Sequence, residues 1–265
     1  MTGQAAASGA PLPIRHSPAF TLLELLTVIF IMGILVALAV PALKTFGKSN
    51  TQVSAARQLL DDVGRARQLA ISGHTTVYMV FVPAIWSMQG SLPTAASLLD
   101  KQYTGYNFLS LRSVGDQPGR NSVNYLAEWK SLPDGAFIAT NKFAGTNTIT
   151  DASINVTYPI NQFNYASLFP FPAATNVAGV SLPYIAFNYL GQLTVDGVNQ
   201  SPQDEYIPLA QGTVFYAANP TTKVLQWAAP DASENPPGNS TNSSFTIVHI
   251  DSLTGRADLK QQSVQ

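Results

Sequence analysis

The sequence predicts an α+β chain, with one long N-terminal helix packed on an antiparallel β-sheet head. Three observations predict it. A nearly uncharged apolar run occupies Phe20 to Leu43. An amphipathic helical pattern follows it over Thr51 to Ser72. Beyond Gly73, helical spacing gives way to short β-branched and aromatic runs separated by Gly, Pro and Asn.

Between Arg15 and Lys44 the only formal charge is Glu24. A helix needs about 20 apolar residues to cross a bilayer, so residues 20–43 are expected to span one. Arg15 on one side is matched by Lys44 and Lys48 on the other, which leaves the positive-inside rule little to act on. Ahead of the run, Met1 to Ala19 is polar and broken by Pro11, Pro13 and Pro18, which forbid a regular helix.

In the second helical stretch Val53, Ala56, Leu60, Val63, Ala66 and Ala70 recur at three- and four-residue steps. Arg57, Asp61 and Arg65 lie four apart on another face and can pair there. Gly73 is placed to cap the helix C-terminus. The two stretches read as one helix, kinked at Pro41 and loosened near Gly47.

Strands are expected at 75–82, 123–129, 136–139, 154–158, 184–189, 192–195, 213–217, 224–228 and 245–250. Turn signals separate them, among them Pro133-Asp134-Gly135, Leu190-Gly191, Asp196-Gly197, Asn219-Pro220 and Thr254-Gly255. A short helix is expected around Ala95 to Lys101. The polar stretches 141–147 and 231–244 read as exposed loops.

Composition narrows the function classes. Only 11% of the 265 residues are charged and the net charge is −1, so no global field favours nucleic acid or an acidic surface. With 46% of residues hydrophobic, the chain is not a disordered one. The absence of cysteine excludes thiol catalysis, disulfides and thiolate metal sites, and a core of this size needs no disulfide.

The stretch Ala19-Phe20-Thr21-Leu22-Leu23-Glu24 resembles the prepilin peptidase site of type IV pilins and type II secretion pseudopilins. The resemblance implies a cut between Ala19 and Phe20 and methylation of the new Phe20 amine. It also implies assembly roles for Glu24 and Pro41. The family usually carries Gly before the cut, where this chain has Ala19. Solvation physics points the same way. A carboxylate in an apolar helix is costly unless paired, and no basic side chain lies within the span. Cleavage would create a positive amine four residues away. In a stack of parallel helices, Glu24 of one subunit could meet the Phe20 amine of the next and set the axial register. The plainer alternative places Glu24 among lipid headgroups at the start of a simple anchor. A rival cleavage site, Ala37-Leu38-Ala39, resembles that of a secretory signal peptide and would start the mature chain at Val40. The interruption at Glu24 and the length of the apolar run argue against it. Gly33 and Ala37 would let neighbouring helices approach closely, although Gly is common in any membrane helix.

Further segments resemble the H-type pseudopilin and FimT-like minor pilin group. From Ala55 to Phe81 a helix with an Ala66-Arg67 pair leads through Gly73 into a strand. Leu132-Pro133-Asp134-Gly135-Ala136 and Ile185-Ala186-Phe187 through Gly191 are similar to strand starts of that group. Ile247 to Leu259, with Thr254-Gly255-Arg256, is similar to its closing hairpin. Segments 84–131 and 141–180 are long for the group, which implies an enlarged head. The domain organisation that follows is a leader at 1–19, a long helix at 20–72 with its 20–43 part in the membrane, and a β-rich head at 73–265.

No catalytic constellation stands out. His16, His74 and His249 lack metal-ligand spacing, and no nucleophile elbow or phosphate loop occurs. Asp61-Asp62 and Asp204-Glu205 are adjacent pairs, not a calcium loop. No enzyme activity, cofactor or metal is expected. Arg65 and Arg67 read as a solvated face, and without a basic stripe no nucleic acid partner is expected. Trp86, Tyr103, Tyr106, Trp129, Tyr165, Phe169, Phe171 and Trp227 read as core and loop packing ahead of a carbohydrate- or peptide-binding surface.

The leading expectation is therefore a structural minor pilin or pseudopilin, cut by prepilin peptidase and assembled into a type II secretion pseudopilus or a type IV pilus. Its partners would be the peptidase, other pilins or pseudopilins, the inner-membrane assembly platform and membrane lipid. It would cross the bacterial inner membrane once, with its head in the periplasm or outside on the filament. The alternative is a membrane-anchored exported module that recognises cargo, glycan or DNA.

Overall fold

The computed structural model describes residues 21–90 (backbone alone at 38–50), 93–113, 115–116, 122–176, 179–241 and 244–262. The chain divides into two compact units, Met1–Phe46 and Gly47–Gln265. The helix α1 (Leu22–Ser72, 51 residues) supplies backbone to both. The kink expected at Pro41 and the loosening at Gly47 fall within residues 38–50, whose backbone is assigned to α1 throughout.

In the first unit every described side chain from Thr21 to Ala37 is exposed, Leu22 at 81% and Phe30 at 67%. That much bare apolar surface is stable only against lipid or another apolar helix. Among the described residues no helix is long and apolar enough to cross a membrane. The expected span of 20–43 extends past the described side chains at both ends.

The second unit is built on residues 51–72 of α1. Their buried stripe is Ala55, Ala56, Leu59, Asp62, Val63, Ala66 and Ala70. This corrects the expected register at its start. Val53 is exposed and Leu60 only half-buried, because Leu59 is the side chain turned to the sheets. The helix ends in a Schellman motif: Thr75 N–H donates to the Ala70 carbonyl and His74 N–H to that of Ile71. The left-handed residue is His74 (φ +45°), not the expected Gly73. Gly73 sits one position earlier, where a Cβ would lie 2.9 Å from the Leu69 carbonyl oxygen. A β-carbon in left-handed geometry costs about 1–2 kcal/mol. His74→Gly is therefore expected to stabilise the chain by about 1 kcal/mol, read as a rise of about 2–4 °C in Tm.

The strands follow in chain order. β1 (Val77–Phe81), β2 (Gly105–Ser110), β3 (Asn124–Tyr125) and β4 (Lys130–Ser131) are followed by β5 (Ala136–Ile138). Next come β6 (Asn147–Asp151), β7 (Val156–Ile160), β8 (Leu168–Pro170), β9 (Gly179–Ser181), β10 (Tyr184–Phe187) and β11 (Leu193–Thr194). The last four are β12 (Glu205–Phe215), β13 (Asp231–Glu234), β14 (Thr246–Ile250) and β15 (Ala257–Gln261). The first sheet has the order β11-β10-β1-β2-β3, with β4 also on β2. The second has β13-β12-β14-β15, with β5 also on β12. All named pairings are antiparallel, and β6–β7 and β8–β9 are separate hairpins.

Both sheets pack on the helix through one core. Val77, Met79 and Phe81 of β1, Ile185 and Phe187 of β10, Ile207 and Leu209 of β12, and Val248 and Ile250 of β14 meet Leu59, Val63 and Ala66. The opposite face of the first sheet is covered too. Tyr78, Val80 and Ala186 meet Leu98 and Leu99 of a 3-10 helix at Pro93–Lys101, together with Phe169 and Phe171 of the β8–β9 region. Burial on both faces explains why β1 reads as an unbroken apolar run and not an alternating one. The β6–β7 hairpin closes the second sheet, with Ile149, Tyr158 and Ile160 on Phe245 and Ile247. The long segment 84–131 thus supplies both a covering 3-10 helix and the strands β2, β3 and β4 of the first sheet, while 141–180 supplies the hairpins packed on the sheets.

Several expectations are corrected. Residues 141–147 are not an exposed loop: Asn141–Ala144 is a helical turn, Lys142 is fully buried and paired with Glu205, and Phe143 packs on Tyr103 and Phe163. Residues 231–244 contain β13, and the Asn239 side-chain amide donates to the Gln211 carbonyl while its oxygen accepts from Gln211 N–H. The strand expected at 213–217 begins at Glu205, since Pro208 and Gly212 obscured it in the pattern. Residues 224–228 form no strand, only a bridge between Ala218 and Leu225. β2 falls where no strand was expected.

Candidate functional site

The N-terminal motif opens on Thr21, the residue before the first turn of α1. Its hydroxyl accepts from the Glu24 N–H (3.2 Å) and donates to Glu24 Oε2 (3.0 Å), which also accepts from the Thr21 N–H (3.2 Å). This is a capping box: the two ends of Thr-x-x-Glu satisfy each other's orphan donors at a helix start. The carboxylate also faces the positive end of the helix dipole. The Thr-x-x-Glu spacing is a local signal that could have revealed this cap from the sequence. Oε1 has no hydrogen bond among the described residues, so the cap occupies one carboxylate oxygen and leaves the other open. Ala19 and Phe20 lie outside the described residues, as does the Pro41 side chain.

Below this cap, Leu26, Ile29, Phe30, Gly33, Ile34 and Ala37 line a shallow apolar groove along one helix face. A Cβ at Gly33 would touch nothing within 4 Å. The expected small-residue pair therefore lies on this open groove.

In the second unit, three of the segments that carried the H-type resemblance converge. Arg67 Nε donates to the carbonyls of Gly191 (3.2 Å) and Thr254 (2.7 Å). The turns after β10 and β14 lie so close that a Cβ on Gly255 (φ +63°) would stand 1.9 Å from the Gly191 carbonyl oxygen. A Cβ on Gly191 (φ +80°) would stand 2.7 Å from Ile71 Cδ1. Arg67 is thus spent inside the chain, which corrects its reading as a solvated residue. Arg65 remains exposed.

Other polar groups form structural pairs. Asp62 is buried in α1, where it accepts from Tyr106 Oη (2.6 Å) and pairs with Lys130, while Asp61 is exposed. Burial, then the Asp62 contact, pushes the Tyr106 phenol well up. His249 bridges two carboxylates, with Nε2 3.0 Å from Asp204 and Nδ1 2.8 Å from Asp258, and stacks on Tyr206. Burial raises Asp204, but hydrogen bonds from the Ser252 backbone and His249 outweigh it and hold the carboxyl below its ordinary range. Among the described residues no group of three or more His, Asp or Glu could hold a metal ion. Of the aromatic residues singled out, Tyr106, Phe169 and Phe171 are fully buried and Trp129 meets Phe171 edge-on at 5.5 Å. Trp86 is 45% exposed.

Comparison with known proteins bears on the first of these regions. Residues 14–40 match the prokaryotic N-terminal methylation motif. No curated protein and no solved structure matches the chain. The motif is that of type IV pilin-like proteins and supports the pilin and pseudopilin class. It implies processing by prepilin peptidase, assembly with other pilins and a membrane-anchored N-terminus, and it indicates a structural subunit.

Proposed function

We propose that this chain is a minor pilin or pseudopilin that works by assembly. The methylation motif at 14–40, opening the capped apolar helix at Thr21, is the observation that carries this reading. Prepilin peptidase cuts between Ala19 and Phe20, and the Phe20 amine is methylated. Residues 20–43 then cross the inner membrane once and later form the filament core. Glu24 holds the helix cap with one oxygen and offers the other to the amine of a neighbouring subunit. The exposed groove through Gly33 and Ala37 packs on the neighbour's helix. Residues 73–265 form the exported head on the second half of the helix.

The convergence of Arg67, Gly191, Thr254 and Gly255 supports the H-type pseudopilin and FimT-like group, and with it a type II secretion pseudopilus or a type IV pilus. A structural role is favoured over a binding module because the 3-10 helix at Pro93–Lys101, the β8–β9 region and the β6–β7 hairpin pack their apolar side chains onto the sheets. The test is the mature N-terminus, mapped by intact mass and N-terminal peptides from the native host. A methylated Phe20 is expected. A chain starting at Val40 would sink this reading, and an intact Met1 would leave a plain anchored head.

A further inference from the structure

The second sheet carries a charged cluster around His249 that the proposed role leaves unused. His249 stands on β14, between β12 and β15. Its ring lies on Tyr206, with centroids 4.7 Å apart and planes 25° from parallel. Nε2 is 3.0 Å from Asp204 Oδ2, and Nδ1 is 2.8 Å from Asp258 Oδ1. The second oxygen of each carboxylate is taken as well. Asp204 Oδ1 accepts from the Ser252 N–H, and Asp258 Oδ2 pairs with Lys260 at 2.9 Å. An ionised carboxylate only accepts, so each ring nitrogen must carry a proton to bond its neighbour. A neutral imidazole has one N–H and one bare lone pair, whichever tautomer it takes. Turning the ring over changes nothing, because a carboxylate stands on both sides. The arrangement is therefore complete only for the imidazolium.

The groups that face the ring keep their charges while it titrates. Burial raises Asp204 and Asp258, but the Ser252 backbone and His249 outweigh it for the first, and Lys260 and His249 for the second. Both carboxyls are held below their ordinary range. Lys260 is raised by its hydrogen bond to Asp258, and burial, then Asp204, pushes the Tyr206 phenol up. Asp251, which bears on Asp204 and His249, is held low by the Thr254 hydroxyl and N–H. Tyr158 completes the surroundings, 5.8 Å from Tyr206. Histidine is the side chain that ordinarily changes charge near neutral pH. When the ring loses a proton, a lone pair is left facing an anion. The Asp258 side is the one that lets go. Its side chain is 55% exposed against 33% for Asp204, and it keeps Lys260 as a partner. β15 is an edge strand, paired only with β14 among the described residues, so it is the element released.

We propose that Asp204, His249 and Asp258 form a proton-operated latch on the closing hairpin, in which the imidazolium ties β14 and β15 to the segment entering β12 and loss of its proton frees β15. The latch uses contacts within one chain and does not depend on assembly. The test is thermal unfolding and amide exchange of the full chain in detergent at about pH 5.5 and about pH 8.5, on either side of the ordinary histidine range. The contact is present while the ring is protonated and lost as pH rises. The wild type is therefore expected to melt about 2–4 °C lower at the higher pH. His249→Gln has no ring to titrate and should lose that difference, whereas a difference caused by the other histidines would survive in it. Asp258→Asn offers an amide donor to the bare nitrogen, so it too should lose the difference and melt no lower than the wild type at about pH 8.5. At about pH 5.5, exchange across 246–261 should be at least about tenfold slower in the wild type than in His249→Gln, and at about pH 8.5 equal. A wild type that melts alike at both pH values, a difference that persists in His249→Gln, or equal exchange of the two chains at the lower pH would each overturn the proposal.

Discussion

Glu24→Ala is expected to abolish incorporation into filaments while the head stays folded. The carboxylate sits at the start of an exposed apolar helix, capped by Thr21 through one oxygen. Once helices stack and water is excluded, an unpaired Phe20 amine would be left in an apolar setting. Removing one partner of such a buried pair costs about 3–5 kcal/mol, enough to lower assembly about 100-fold or more. Glu24→Gln separates the two roles of the side chain. Glutamine can complete a capping box but cannot neutralise an amine. If charge pairing drives assembly, both variants should stay in the inner-membrane fraction and out of sheared filaments, as read by immunoblot. Normal incorporation of Glu24→Gln would reduce Glu24 to a helix cap and count against the register-setting role.

The second large effect concerns the head. Gly255→Val is expected to destabilise it by about 3–5 kcal/mol, seen as loss of cooperative thermal unfolding in the full chain in detergent. Two costs add at this position. A side chain in left-handed geometry is strained, more so for a β-branched residue. Any Cβ there would also overlap the Gly191 carbonyl oxygen, and backbone cannot swing aside as a side chain can. Separating the turns would break the two carbonyl bonds from Arg67 as well. Gly191→Ala should cost less, because its nearest obstacle is the movable end of Ile71. Arg67→Ala, combined with the Gly255 change, should fall short of additivity, since both act on one junction. A Gly255→Val chain with a wild-type melting profile would show that the two turns are not locked together.

Some features were legible in the sequence because they are local. The apolar run, its single carboxylate and the small residues Gly33 and Ala37 are set by composition along one helix face. The helical period over 51–72 was legible too, but its register was not. Val53 and Leu60 fit the apolar period as well as Leu59 does, and only the sheets packed on one side select Leu59. Strands bounded by Gly turns, such as β10 and β14, were found in place. β12 was half missed because Pro208 and Gly212 look like breakers, and long-range pairing with β14, β5 and β13 overrides them.

What the sequence determined by itself is the N-terminal half of the story. The apolar run and its single carboxylate depend on neighbours close in the chain and are read directly, whereas the equally local Thr21–Glu24 cap came only from the structure. What only the tertiary structure decided is how distant polar residues are spent. Lys142 and residues 231–244 looked solvated because charge and polarity ordinarily go to water. Lys142 is buried because Glu205, 63 positions away, compensates its charge. The junction of Arg67, Gly191 and Gly255 arises the same way, from contacts between segments that chain order leaves far apart.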